Sequence, residues 1–133
     1  MSATATLTST ASPDLLAHRK AVSQPFPEVV KGLTSIIGRK LTAYLAAVTD
    51  ARAIDRWIHH STPNGDVETR LRHAYRVALM LSEHDSPAVV QAWLTGLNPE
   101  LQDAVPLQLL REGTLERDGK RVLAAARAFV AGG

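Results

Sequence analysis

The sequence contains no cysteine, and aromatic residues make up only 5% of its 133 positions. The first absence excludes disulfides and thiolate metal ligands, and fits a reducing compartment. The second leaves the core to Leu, Val, Ile and Ala, within an overall hydrophobic content of 45%. No apolar run approaches the roughly 20 residues that span a bilayer, so no membrane segment is expected. Met1 to Ala11 holds no basic patch followed by an apolar stretch, so it does not read as a secretory signal. A cytoplasmic location is the expectation. A Gly-rich phosphate loop is also missing, because the glycines are scattered singly at helix ends. No serine or threonine stands with a base and an orienting acid in a pattern that suggests nucleophilic catalysis. His59 and His60 are adjacent, so on a helix they point about 100° apart, and no third ligand sits at metal spacing. Neither an enzyme nor a cofactor or metal protein is expected.

The charge that is present is unevenly placed. Residues 31–76 carry eight Lys/Arg against four Asp/Glu, a net of +4, while residues 77–133 carry five against seven, a net of −2. A basic middle and a mildly acidic end suggest a polyanion as one partner and something different as another.

No segment alternates with period two, so an all-α fold is expected. Residues 1–24 read as a tail, disordered over 1–11, with a short helix opened by Ser12-Pro13 and stopped before Pro25. From Pro27 to Ile37, Val29, Val30, Leu33, Ile36 and Ile37 share one stripe, and Gly38 ends the helix. A second helix spans Arg39 to Val48, and a third runs from Ala51 to about His60. After the turn formers of 61–66, Asp66 is expected to cap a long helix to about His84. Ser86-Pro87 opens a helix closed by Gly96, Asn98-Pro99 opens a turn, and Pro106 starts a short helix ended by Gly113. Asp118 is expected to cap the last helix, from about Lys120 to Ala131. That helix is alanine-rich with few large anchors, and is expected to be loosely held in the free chain. Three regions follow: the tail 1–24, a helical bundle 25–84 and a smaller helical region 85–133.

The stretch from Leu41 to Trp57 has the layout of a helix-turn-helix. Helices that cross steeply need small residues at their approach. Ala43 and Ala47 would supply them, Ile54 would fill the wedge, and Trp57 would fasten the second helix to the core. Arg52, Asp55, Arg56 and His59 would then face outward to base edges, with Arg39, Lys40 and Thr49 at phosphates. An ordinary helical corner satisfies the same spacing. In the second half, Trp93 reads as a core residue more than as a partner anchor. Leu107, Leu109 and Leu110 are too close together for one face of a short helix, so at least one should face outward. Glu68, Arg72 and Arg76 read as spaced surface partners on one helix.

Gly38 to Trp57, Ala74–Ala78 and the tract Ala92-Trp93-Leu94-Thr95-Gly96-Leu97-Asn98-Pro99-Glu100-Leu101 together resemble the Xre/MbcA/ParS antitoxin family. Pro106-Leu107-Gln108-Leu109-Leu110-Arg111-Glu112-Gly113 extends the likeness, which covers residues 33–131. The second half carries the more specific pattern: Trp-Leu, an Asn-Pro turn, then Pro, a Leu-Leu pair and Gly. The first half is similar to Xre-type domains, with Ala47 where glycine is common. The resemblance implies a type II antitoxin whose partner is a RES-domain toxin, an NAD-degrading enzyme similar in fold to ADP-ribosyl transferases. It implies that the C-terminal region covers the toxin's active-site cleft. It also implies that the complex represses its own promoter and that the antitoxin is a homodimer within a larger hetero-oligomer. In that context Leu107, Leu110, Arg111, Glu112, Arg117, Lys120, Arg121 and Arg127 are the expected toxin contacts, the cations being suited to a cleft built for an anionic dinucleotide. The competing readings are a stand-alone transcriptional regulator whose C-terminal half only dimerises, and a protein-binding adaptor.

Overall fold

The computed structural model describes residues 12–59 and 61–132; the tail expected over 1–11 and the imidazole of His60 lie outside them. The fold is all-α. In chain order the helices are α1 (Pro13–Ser23), α2 (Phe26–Ala46), α3 (Arg52–His59), α4 (Gly65–Ser82), α5 (Pro87–Thr95), α6 (Pro106–Glu112) and α7 (Lys120–Gly132). A 3₁₀ turn covers Pro99–Leu101, and a π-helical turn Leu115–Gly119. One continuous core joins both halves, from Phe26, Leu33 and Ile54 through Leu71 and Leu81 to Leu94, Leu110 and Val122.

Where local chemistry sets the boundaries, sequence and structure agree. Ser12 and Ser86 each accept a hydrogen bond from the third residue beyond, capping α1 and α5 with proline in the first turn. Gly38 breaks α2 into two helical halves with φ 89° and ψ 163°. The Thr42 hydroxyl, fully buried, donates to the Gly38 carbonyl at 2.8 Å and satisfies a group that the break leaves open. A Cβ at position 38 would meet nothing within 4 Å. The cost of Gly38→Ala is therefore purely conformational. It should lower unfolding stability by about 1–3 kcal/mol in urea titrations, whereas a neutral result would show that the break moves elsewhere.

Two expected caps are corrected. Asn64, not Asp66, caps α4, its side chain accepting from Val67 N at 3.0 Å. Asp66 sits in the exposed first turn, where negative charge suits the helix N-terminus. Asp118 does not cap α7. It lies buried in the π turn, where its carboxylate turns back to accept from Thr114 N at 3.0 Å and pairs with Arg117 and Arg121. Gly113 makes room for it, since a Cβ there would lie 2.6 Å from Asp118 Cβ.

The last helix, expected to be loosely held, has ties to three other elements. It buries Val122, Leu123, Ala125 and Ala126, while Arg121 ties its start to Asp118 and Gln102. Arg127, further along, binds Asp14 of α1 at 2.8 Å. Asp14 also accepts from Arg76 of α4 at 3.1 Å, so one carboxylate joins three helices. Residues 13–23 are correspondingly a helix docked on α4 through buried Ala17 and Ala21. Arg72 completes this junction. It donates to the Ala21 and Gln24 carbonyls at the end of α1, and its guanidinium lies 5.9 Å from the Phe26 ring centroid. Arg72 and Arg76, expected as minor surface partners, are thus part-buried ties between elements.

On the inner side of the π turn, His73 Nε2 lies 2.8 Å from the Gly119 carbonyl. The carbonyl can only accept, so Nε2 carries the proton. Burial pushes the imidazole pKa below its ordinary 6.5, against the pull of the Gly119 hydrogen bond and with the help of Arg76. The folded state therefore favours neutral His73. That contribution is complete above pH 6.5 and is lost as pH falls through the lower folded value. Asp14, raised by burial but lowered further by Arg127 and Arg76, and Asp118, lowered by Arg117 and the Thr114 amide, lie below 3.8. Their contributions disappear only as pH falls below 3.8. Urea midpoints against pH should therefore fall in two stages, one below 6.5 and one below 3.8. His73→Gln, which retains a donor for Gly119, should remove the first stage; identical curves for parent and variant would refute the assignment.

Candidate functional site

Two surfaces have the form of binding sites. The first is built on α3. Ala53, Ile54 and Trp57 point inward, and Trp57 meets Phe26 edge-on with ring centroids 6.3 Å apart. That burial fixes which side chains face solvent: Arg52, Asp55, Arg56 and His59. Asp50 closes the N-terminus of α3, one carboxylate oxygen accepting from Arg52 N at 2.9 Å and the other from Arg52 Nε at 2.8 Å. The Arg52 side chain holds the Asp50 carboxyl below its ordinary value. This pair lies in water, where such contacts are weak and readily exchanged. The Arg52 side chain keeps 82% of its surface exposed.

Before α3, residues 47–51 turn back on α2. Small residues do sit at the approach, but Ala43, Ala46 and Ala53 are the buried ones. Ala47 is corrected: it is exposed and ends α2 in the left-handed region, with φ 59°. That backbone favours glycine. Arg39, expected at phosphate, donates to Asp55 at 2.7 Å and to the Ala51 carbonyl at 3.3 Å, so it braces the turn. Lys40, Thr49 and Arg56 are exposed. Of the expected DNA-facing set, Lys40 and Arg56 are exposed cations, Arg52 is exposed but paired with Asp50, and the exposed Arg39 and Asp55 hold each other.

The second surface was not foreseen as a site. Trp93 is only part buried, its ring centroid 6.1 Å from that of Phe129. Together with Leu97, Pro99 and the small residues Ala92, Gly96, Ala125 and Ala128 they line a groove of about 560 Å³ between α5, the 3₁₀ turn and α7. Leu97 is 74% exposed, the most exposed of the large hydrophobic side chains among the described residues. Glu100 lines the groove and Asp103 is exposed on the same turn, which Asn98 shapes by accepting from Glu100 N at 2.9 Å. The available signal was that α5 carries no charge and is apolar on nearly every side, so burying one face leaves another bare.

The residues expected as partner contacts are mostly engaged within the chain. Leu107 and Leu110 are corrected to core, at 4% and 1% exposure. Both fit inside because α6 is wedged between α2 and α5, and Leu109 packs half-buried beside them. The Arg111 guanidinium stacks 4.5 Å from the Tyr44 ring centroid, and Glu112 accepts from Gln108. Arg117 and Arg121 converge on Asp118, Arg127 holds Asp14, and Lys120 is exposed.

Among the described residues no group of three His, Asp or Glu side chains is placed to hold a metal ion, and no helix is long and apolar enough to cross a membrane. No family model, curated protein or solved structure matches this chain.

Proposed function

We propose that this chain is a non-enzymatic, cytoplasmic antitoxin that binds two partners on separate surfaces. The α3 face takes the promoter DNA of its own operon through Lys40, Arg52 and Arg56, as one subunit of a homodimer within a larger hetero-oligomer. The groove of Trp93, Leu97 and Phe129 takes a RES-domain toxin and lets the C-terminal region cover its NAD-degrading cleft. The observation that carries this reading is a largely apolar groove, with Glu100 its one charged lining residue and the most exposed leucine among the described residues beside it, on a chain that also presents Arg52 and Arg56 on a short helix with a buried back. An apolar patch rimmed by polar residues marks a protein-binding surface. Arginines on the outer face of a helix whose back is buried suit a major groove. The sequence resemblance over residues 33–131 supplies the identity of the partners.

Co-expression with the adjacent gene tests the reading. Growth rescue and recovery of a stable complex are the expected results. Equal toxicity with and without this chain would overturn it.

A further inference from the structure

A third concave feature, separate from both surfaces above, lies between α1 and α4. This cavity of about 260 Å³ is lined by His18 and Val22 from α1 and by Thr69, Arg72, His73 and Arg76 from α4, and by no carboxylate. Glu68 and Asp14 hold the two guanidiniums without lining the cavity.

The hydrogen-bond inventory of those arginines is incomplete in a specific way. Arg72 directs Nε to Glu68 at 2.9 Å, and Nη1 to the Ala21 and Gln24 carbonyls at 2.9 and 2.8 Å. Its Nη2 has no partner among the described residues. Arg76 directs Nη2 to Asp14, leaves Nη1 without a partner among the described residues, and has a buried Nε that is equally unmet. Of these groups only the Arg76 Nε is buried, and a buried donor is costly to leave unmade. The two residues are one helical turn apart on the same face, an arrangement in which like charges repel. Three guanidiniums meet here, those of Arg72, Arg76 and Arg127, against the carboxylates of Asp14 and Glu68, so a positive excess remains.

We infer that this cavity is a binding site for a phosphate-type oxyanion, free or as the monoester group of a small molecule, held between Arg72 Nη2 and Arg76 Nη1 with His18 at the rim; the Thr69 hydroxyl lines the cavity but donates to the Gly65 carbonyl at 2.8 Å. The arginines suit the task because their remaining hydrogen bonds already fix them, so little side-chain freedom is lost on binding. Planar donors one turn apart match the oxygens of a tetrahedral anion. Bound anion would also relieve the repulsion along α4 and stitch α1 more firmly to it.

Titration of the full chain with inorganic phosphate at constant ionic strength, followed by amide NMR shifts, provides the test. Saturable shifts confined to residues 18–22 and 69–76, with a rise in thermal midpoint, are expected. A phosphomonoester such as phosphoserine forms the second arm: tighter binding than inorganic phosphate assigns an organic phosphate, and weaker binding assigns the free ion. Val22→Glu sets a carboxylate in the cavity wall beside Arg72 and Arg76, so it should raise the phosphate-free midpoint, cancel the further rise on adding phosphate and weaken phosphate binding about tenfold. Shifts that chloride or acetate reproduces, or that Val22→Glu leaves intact, overturn the site.

Discussion

Leu97→Glu should abolish toxin neutralisation while leaving the free chain folded. The side chain is 74% exposed, so its replacement should change unfolding stability by no more than about 0.5 kcal/mol. In a complex the same position would be enclosed. The new carboxylate would be desolvated at the mouth of an apolar groove, beside Glu100, with no cation among the residues lining it. Central apolar anchors of interfaces typically cost 2 kcal/mol or more when removed, and burying an unpaired charge adds to that. Affinity for the purified partner should therefore fall by at least about 30-fold in calorimetric titration, and cells co-expressing the pair should stop growing. Trp93→Ala should act in the same direction, but it also removes the contact with Phe129 and so lowers stability. Leu97→Glu is the cleaner probe for that reason. If it neutralises as well as the parent while Lys120→Glu does not, the partner sits on the cationic start of α7 and the groove assignment fails.

What the sequence disclosed follows the range of the interactions concerned. Ser12-Pro13 and Ser86-Pro87 mark helix starts because the cap and its amide lie three residues apart. Gly38 marks a break because its own backbone takes a conformation that other residues resist. The inward face of α3 was also readable, since Ile54 and Trp57 share one side of a single helix. The junction at Asp14 was not readable, because Arg76 and Arg127 lie 62 and 113 residues away and nothing local singles them out. Asp118 misled for the opposite reason. It has the residue type and position of a helix cap, yet Gly113 admits its carboxylate to the Thr114 amide, and Arg117 and Arg121 complete its coordination. Leu107, Leu109 and Leu110 together looked too crowded for one face of a short helix; Leu107 and Leu110, three apart, share the buried face, and Leu109 is half-buried beside it. The groove escaped notice since Trp93 and Leu97 belong to a segment whose apolarity reads as core, and only the positions of α7 and the 3₁₀ turn show which side stays open.

For the α3 surface, loss of charge at Lys40, Arg52 and Arg56 together should weaken promoter binding about a hundredfold at low salt. It should also flatten the dependence of affinity on salt. Each phosphate contact adds about 0.9 to the slope of log K against log salt, so three lost contacts would remove about 2.7. None of the three side chains is buried, so the triple variant should keep the parent's fold. Asp55→Asn should do the reverse. Asp55 and Arg39 form a 2.7 Å pair at the edge of the same face, so removing the carboxylate frees Arg39 for phosphate and deletes a charge that repels it. Binding should tighten, and the slope should steepen by up to about one contact. The opposite signs separate nucleic-acid binding from a merely structural role, because loss of structure would weaken binding in every variant. Fluorescence anisotropy on a labelled promoter fragment between 50 and 200 mM salt, the range over which about 40-fold in affinity depends on those three contacts, reads both effects. An unchanged slope in the triple variant would place the DNA, if any is bound, on another face.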